Sequence, residues 1–106
     1  NPPALLSVAL RFDDGAIAQP GFELYQNRPN PYSDKTLIGF NLPEASDATL
    51  QIWDETGRIL YHQTGHYSRG YNAVSIAHHL SDASGVLYYQ LTTPAGSAVR
   101  KMVLVR

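Results

Sequence analysis

The chain has no cysteine, one methionine and one tryptophan among its 106 residues. Without thiols, neither a disulfide nor a thiolate metal site can hold the fold, so stability must come from a packed core. Charge is sparse and balanced, with eight Lys and Arg against nine Asp and Glu for a formal net charge of −1. That removes the clustered cations that nucleic acid would require. No apolar run approaches the ~20 residues of a membrane helix, and no stretch holds a helical period. Asn1, Pro2, Pro3 and Ala4 lack the basic start of a secretory signal, so an exported form is expected to carry its signal farther upstream.

Catalytic signatures are missing too. There is no Gly-x-Ser-x-Gly elbow, no thiol nucleophile and no phosphate-cradling glycine loop before a helix. The carboxylates Asp13, Asp14, Asp34, Glu44, Asp47, Asp54, Glu55 and Asp82 fall among turn residues, which favours solvated turns over the facing pair of a glycosidase. Asp13, Asp14 and Gly15 form a turn signal without the spaced oxygens and closing Glu of a calcium loop. His62 and His66 are four apart, but they span a strand end and a loop, where that spacing places no two ligands together. His78 and His79 point to opposite sides if extended, and zinc needs three or four convergent ligands. The reading is of no enzyme, no metal and no cofactor.

What the sequence does contain is strand patterning, at a hydrophobic content of 43%. A chain of this length forms one domain and buries roughly two-thirds of its unfolded surface. Leu6, Val8, Leu10 and Phe12 alternate with Ser7, Ala9 and Arg11, so residues 6–12 read as a strand of a preceding domain or an extra edge of this one. Residues 13–21 read as a linker, which divides the chain into residues 1–21 (the end of a preceding region plus linker) and a domain of residues 22–106. Thr36, Ile38, Phe40 and Leu42 share one face. Ala48, Leu50 and Ile52 alternate likewise, and residues 54–57 turn the chain into a returning strand, with Gly57 at the positive-φ position. Residues 50–63 are therefore expected to be a hairpin and residues 64–70 a loop. Residues 71–77 follow as a strand with Val74 and Ile76 inward. Residues 78–84 form a connection anchored by Leu80. Gly85 opens a strand in which Leu87, Tyr89 and Leu91 share a face, and residues 98–105 form the last strand. About seven short strands separated by turn signals indicate an all-β, immunoglobulin-like antiparallel sandwich.

Before the first long strand, Leu24, Tyr25, Gln26, Asn27, Arg28, Pro29, Asn30, Pro31 and Tyr32 form a stiff bend. The two prolines remove two backbone donors and press Arg28 and Asn30 toward extended geometry. This stretch resembles the opening signature of the type A C-terminal sorting domain of the bacterial type IX secretion system, found on exported proteins of the Bacteroidetes. The likeness continues through Leu42-Pro43-Glu44-Ala45, Leu50-x-Ile52-Trp53-Asp54-x-x-Gly57-Arg58, Ser84-Gly85-Val86-x-Tyr88-Tyr89-x-Leu91 and Lys101-Met102-Val103-Leu104. It covers residues 22–106. Arg28 and Leu87 depart from residues common in the family.

The resemblance implies a non-catalytic export and sorting signal that directs a covalently linked upstream cargo domain from the periplasm to the cell surface of a Gram-negative bacterium. Its partners would be the outer-membrane shuttle and translocon proteins of that system. A sortase-like cysteine peptidase would remove the domain within Asp14, Gly15, Ala16, Ile17 and Ala18. Residues expected to face the machinery are Gly85, Lys101, Met102, Val103, Leu104, Val105 and Arg106. An alternative reading of the residues is a carbohydrate-binding or spacer module, with Trp53, Tyr61, Tyr67, Tyr71 and Tyr88 as an exposed aromatic platform.

Overall fold

The computed structural model describes residues 17–77, 80 and 84–105. Within them the chain is all-β, with elements in the order β1 (Ile17–Ala18), β2 (Glu23–Leu24), β3 (Lys35–Leu42), β4 (Ser46–Asp54), β5 (Ile59–Tyr67), β6 (Gly70–Ala77), β7 (Gly85–Thr93) and β8 (Gly96–Leu104). Two antiparallel sheets form a sandwich. One has five strands in the order β1-β8-β7-β4-β5, and the other has three in the order β2-β3-β6.

Side-chain alternation dictates which faces meet. Thr36, Ile38, Phe40 and Leu42 of β3, Ala48, Leu50 and Ile52 of β4, Leu87, Tyr89 and Leu91 of β7, and Ala98, Met102 and Leu104 of β8 are all buried. They line the two inner faces, as the period-2 pattern requires. Leu80 is buried as well, as expected of its connection. Ile76 is in the core, while Val74 packs against it half-exposed.

The β4–β5 hairpin turns at Asp54, whose Oδ1 accepts from the backbone N–H of Thr56 (2.9 Å) and of Arg58 (3.0 Å) and from the Thr56 hydroxyl. The Thr56 hydroxyl, then these two N–H groups and the Arg58 guanidinium, hold the Asp54 carboxyl below its ordinary pKa against some desolvation. Gly57 has φ near +92°, a conformation that a side chain would strain.

The structure differs from the sequence reading in three places. Residues 64–67 belong to β5 and not to a loop: the ladder continues through Thr64 opposite Thr49 to Tyr67 opposite Ser46. Thr64 and His66 are on the exposed outer face of this edge strand while Gly65 and Tyr67 are half-buried on the inner one, and the Thr49 and Thr64 hydroxyls are bonded at 2.8 Å. Within the stretch that reads as a bend, Leu24 and the preceding Glu23 form β2 opposite Phe40 and Asn41 of β3, and Tyr25 and Arg28 go on bonding to Gly39 and Leu37. Ile17 and Ala18, taken as linker, pair with Ser97 and Gly96, and Gln19 donates to the Ala95 carbonyl at 2.9 Å. Two paired residues are too few to show a strand period in the sequence. The expected strand at residues 6–12 and residues 13–16 lie outside the described residues, as do His78, His79 and Arg106.

Candidate functional site

The last strand and the proline bend form one structure. β8 pairs with β7 along its whole length, from Gly96 opposite Thr93 to Leu104 opposite Gly85. On its other edge β1 covers only Gly96 and Ser97. Beyond that point residues 24–32 stand in for a strand. The Gln26 side chain donates to the Lys101 carbonyl at 2.7 Å. The Asn30 side-chain oxygen accepts from the Val103 N–H at 2.9 Å. Tyr32 N–H donates to the Val103 carbonyl at 3.0 Å, and Val105 N–H donates to the Tyr32 carbonyl at 2.8 Å. Arg100 Nε donates to the Leu24 carbonyl at 2.6 Å.

Prolines explain why side chains perform this task. Pro29 and Pro31 have no N–H to offer, and both of their peptide bonds are cis. The flanking Gln26 and Asn30 supply a donor and an acceptor in place of the missing ladder. Tyr32, just past the second proline, resumes backbone pairing as a parallel bridge to Leu104.

The bend itself is held from below. Asn27, almost fully buried, donates its backbone N–H to the Tyr89 hydroxyl at 2.9 Å. That hydroxyl in turn donates to the Tyr25 carbonyl at 2.7 Å. The Asn27 amide donates to the Pro29 carbonyl (3.1 Å) and the Thr36 hydroxyl (3.0 Å). The Thr36 hydroxyl donates to the same carbonyl at 2.9 Å. Burial pushes the Tyr89 phenol up to about 12, against the opposing pull of the Asn27 N–H and the Arg100 charge.

The residues expected to face a partner fall into two groups. Met102 and Leu104 are in the core with no exposed surface; a partner meeting the folded domain does not touch them. Lys101, Val105 and Gly85 are exposed and Val103 half-exposed, all within the β7–β8 end that the bend caps. Of the expected cleavage residues, Ile17 and Ala18 are docked as β1, and Asp14, Gly15 and Ala16 lie outside the described residues.

The five aromatic residues do not form one platform. Trp53 and Tyr88 are opposite each other on the outer face of the five-stranded sheet, with ring centroids 6.0 Å apart and planes at 24°. Tyr67 packs edge-on to Phe40 at 5.1 Å, and Tyr61 also packs against the core. Tyr71 lies on the other sheet, 6.1 Å from Tyr25, over Gly39, where a Cβ would come within 2.6 Å of its hydroxyl. Period-2 counting alone separates Tyr71 and Tyr61 from Trp53 only once strand order is known.

Sequence reasoning missed Gln26, Asn27, Asn30 and Tyr89 as the residues that fasten the bend. The available signal was the density of amide side chains around the two prolines, at Gln26, Asn27 and Asn30, which reads as turn chemistry until a partner strand is identified. No family model matches the chain, and no curated protein or solved structure matches it.

Proposed function

We propose that residues 22–106 act as a non-catalytic C-terminal sorting domain that directs a linked cargo across the outer membrane through a type IX secretion system. The observation that carries this reading is the contact between residues 24–32 and residues 101–105. The first and last segments of the resemblance, some seventy residues apart (|i−j| of 73 for Asn30 and Val103), build one surface. A motif whose ends converge in space behaves as a single recognition unit. An immunoglobulin-like topology belongs to the same proposal.

In this reading the partner proteins of the machinery meet Gly85, Lys101, Val103 and Val105 and the capping bend, while Met102 and Leu104 support the strand from inside. Removal by a sortase-like peptidase would fall before Ile17, because a peptidase needs an undocked extended backbone and Ile17 is paired with Ser97.

The test is export of a periplasmic reporter fused ahead of the domain in a host with a working type IX system. The intact domain is expected to bring the reporter to the surface. Lys101→Ala combined with Arg106→Ala is expected to lower export with a melting temperature nearly unchanged: Lys101 is exposed, and substitutions at exposed positions usually alter stability by less than about 0.5 kcal/mol. A reporter that stays in the periplasm with the intact, folded domain would overturn the proposal.

A further inference from the structure

The outer face of the three-stranded sheet carries two joined cavities. Lys35, Leu37 and Gly39 alternate with the buried Thr36, Ile38 and Phe40, so they face away from the core. The larger cavity, of about 410 Å³, is lined by Tyr25, Gln26, Arg28, Leu37, Gly39 and Tyr71, within the ~300–1,000 Å³ of small-molecule sites. The smaller, of about 240 Å³, shares Arg28 and Leu37 with it and reaches Lys35 and Ser75. Of the five large hydrophobic side chains exposed among the described residues, three line the larger cavity: Tyr25 at 37%, Leu37 at 50% and Tyr71 at 59%. Covering Gly39 accounts for where the Tyr71 ring lies. It does not account for a second tyrosine 6.1 Å away or for the cations beside the pair.

Charge, backbone and ring spacing narrow the ligand. Arg28 and Lys35 are exposed, and among the described residues neither is in an ion pair. No carboxylate is among the described residues that line either cavity, and the neighbouring Glu23 and Asp34 line neither. An anion is matched there, and the planar fork of a guanidinium suits a carboxylate. β3 has β2 on one side and β6 on the other. Leu37 exchanges both its N–H and its C=O with Arg28, at 2.8 and 2.9 Å, and the Gly39 carbonyl accepts from Tyr25 N–H at 2.9 Å. An extended peptide finds no open ladder on this floor, so recognition falls to side chains. The Tyr25 and Tyr71 centroids are 6.1 Å apart with planes at 35°, whereas a flat ring inserted between them would need about 7 Å, two contacts of ~3.5 Å. A ligand therefore lies across both rings. Around them stand the hydroxyls of Tyr25, Tyr71 and Ser75 and the amide of Gln26, whose nitrogen is committed to Asn27 and the Lys101 carbonyl and whose oxygen is left to accept. A ring with apolar C–H faces, hydroxyls on its rim and one carboxylate meets all of these conditions, and that describes a uronic acid.

We propose that the cavity between Tyr25, Arg28 and Tyr71 binds an acidic saccharide built of uronic acid units. One sugar ring lays its C–H face across Tyr25 and Tyr71 and pairs its carboxylate with Arg28. The carboxylate of the next unit reaches Lys35 through the smaller cavity. This inference does not rest on the sorting reading: the cavity is on the β3 side of the bend, β8 is on the other, and its test needs no secretion host.

The experiment titrates the full chain with tri-galacturonate and tri-mannuronate, and with maltotriose as the neutral counterpart, by calorimetry and by amide chemical shifts. Saturable binding of at least one acidic trimer is expected, with shifts at the Leu37, Gly39 and Tyr71 amides and none comparable for maltotriose. Arg28→Gln removes a charge from an exposed side chain and leaves the backbone bonds to Leu37 in place. Tyr71→Leu keeps an apolar cover over Gly39 and removes the ring. Each is expected to weaken binding about tenfold or more, a loss of about 1.4 kcal/mol. Arg58→Gln removes an equal charge at the β4–β5 turn of the other sheet and is expected to change affinity less than about twofold. Should Tyr71→Leu fail to fold, Arg28→Gln decides. Absence of binding by both acidic trimers up to about 1 mM, or equal binding of maltotriose, would overturn the proposal. So would an equal loss in Arg58→Gln, since the attraction would then belong to the charge of the whole chain and not to the cavity.

Discussion

Asn27 donates its backbone N–H to the hydroxyl of Tyr89, 62 residues later, at 2.9 Å. Through that one oxygen, which also donates to the Tyr25 carbonyl, the bend is tied to the centre of the five-stranded sheet. Tyr89→Phe keeps the ring and leaves a buried donor and an acceptor without their partner, which costs about 1–3 kcal/mol. For a domain of this size that corresponds to a fall in melting temperature of roughly 4–8 °C per kcal/mol. Thermal melts of the two proteins check it, and an unchanged midpoint would remove the tie from the account of the bend.

Tyr32 is the opposite case. It is only 1% exposed, and its hydroxyl has no hydrogen-bond partner among the described residues. Its backbone, not its phenol, caps β8. Tyr32→Phe is therefore expected to leave stability unchanged or raise it by up to about 1 kcal/mol, because a buried polar group without a partner is removed. The same atom deleted from two buried tyrosines should give opposite signs in chemical denaturation. A large loss in Tyr32→Phe would refute the assignment.

Alkaline titration tests the same burial. Burial raises the folded-state pKa of Tyr89 to about 12, while an unfolded tyrosine titrates near 10. Between those values the unfolded chain has lost the proton that the folded chain still holds, so stability falls as pH rises through this window and is unaffected below it. The loss accumulates to about 2 kcal/mol by the upper end. Burial raises Tyr32 too, adding a slope of the same sign. Denaturation midpoints between about pH 9.5 and about pH 12 should fall less in Tyr89→Phe, and less again when Tyr32→Phe is added. Equal slopes in all three would contradict the burial argument.

Strand faces were legible because burial is one-sided: Leu87, Tyr89 and Leu91 had to lie together whichever strand they faced. Gly57 was legible because a tight hairpin leaves few alternatives. What stayed hidden depends on which strand is an edge. Thr64 and His66 look like loop residues, since both lie on the exposed face of an edge strand and Gly65 between them has no side chain to mark the inner face. Ile17 and Ala18 look like linker because two residues carry no periodicity. At the candidate site, residues 101–105 stood out as a strand, but the core positions Met102 and Leu104 and the surface positions Lys101 and Val105 could not be told apart until β8's inner face was known. The roles of Gln26 and Asn30 are long-range hydrogen bonds, and no local pattern encodes those.

Asn30 offers the sharpest test of the bend as an edge cap. Its side-chain oxygen accepts from Val103 N–H at an exposed position, so water replaces it when it is removed, and Asn30→Ala should cost only about 0.5–1.5 kcal/mol. The local effect is larger than the global one. Exchange at the Val103 amide is expected to speed up in Asn30→Ala, while the Val105 amide, bonded to the Tyr32 carbonyl, stays protected. Asn30→Asp keeps the acceptor and should restore slow exchange at Val103, which a merely steric role for Asn30 would not do. If the sorting proposal holds, Asn30→Ala should also lower export of the reporter and Asn30→Asp should recover it, because the edge of β8 is then presented in its capped form. Unchanged exchange at Val103 in Asn30→Ala would show that the prolines alone hold the strand.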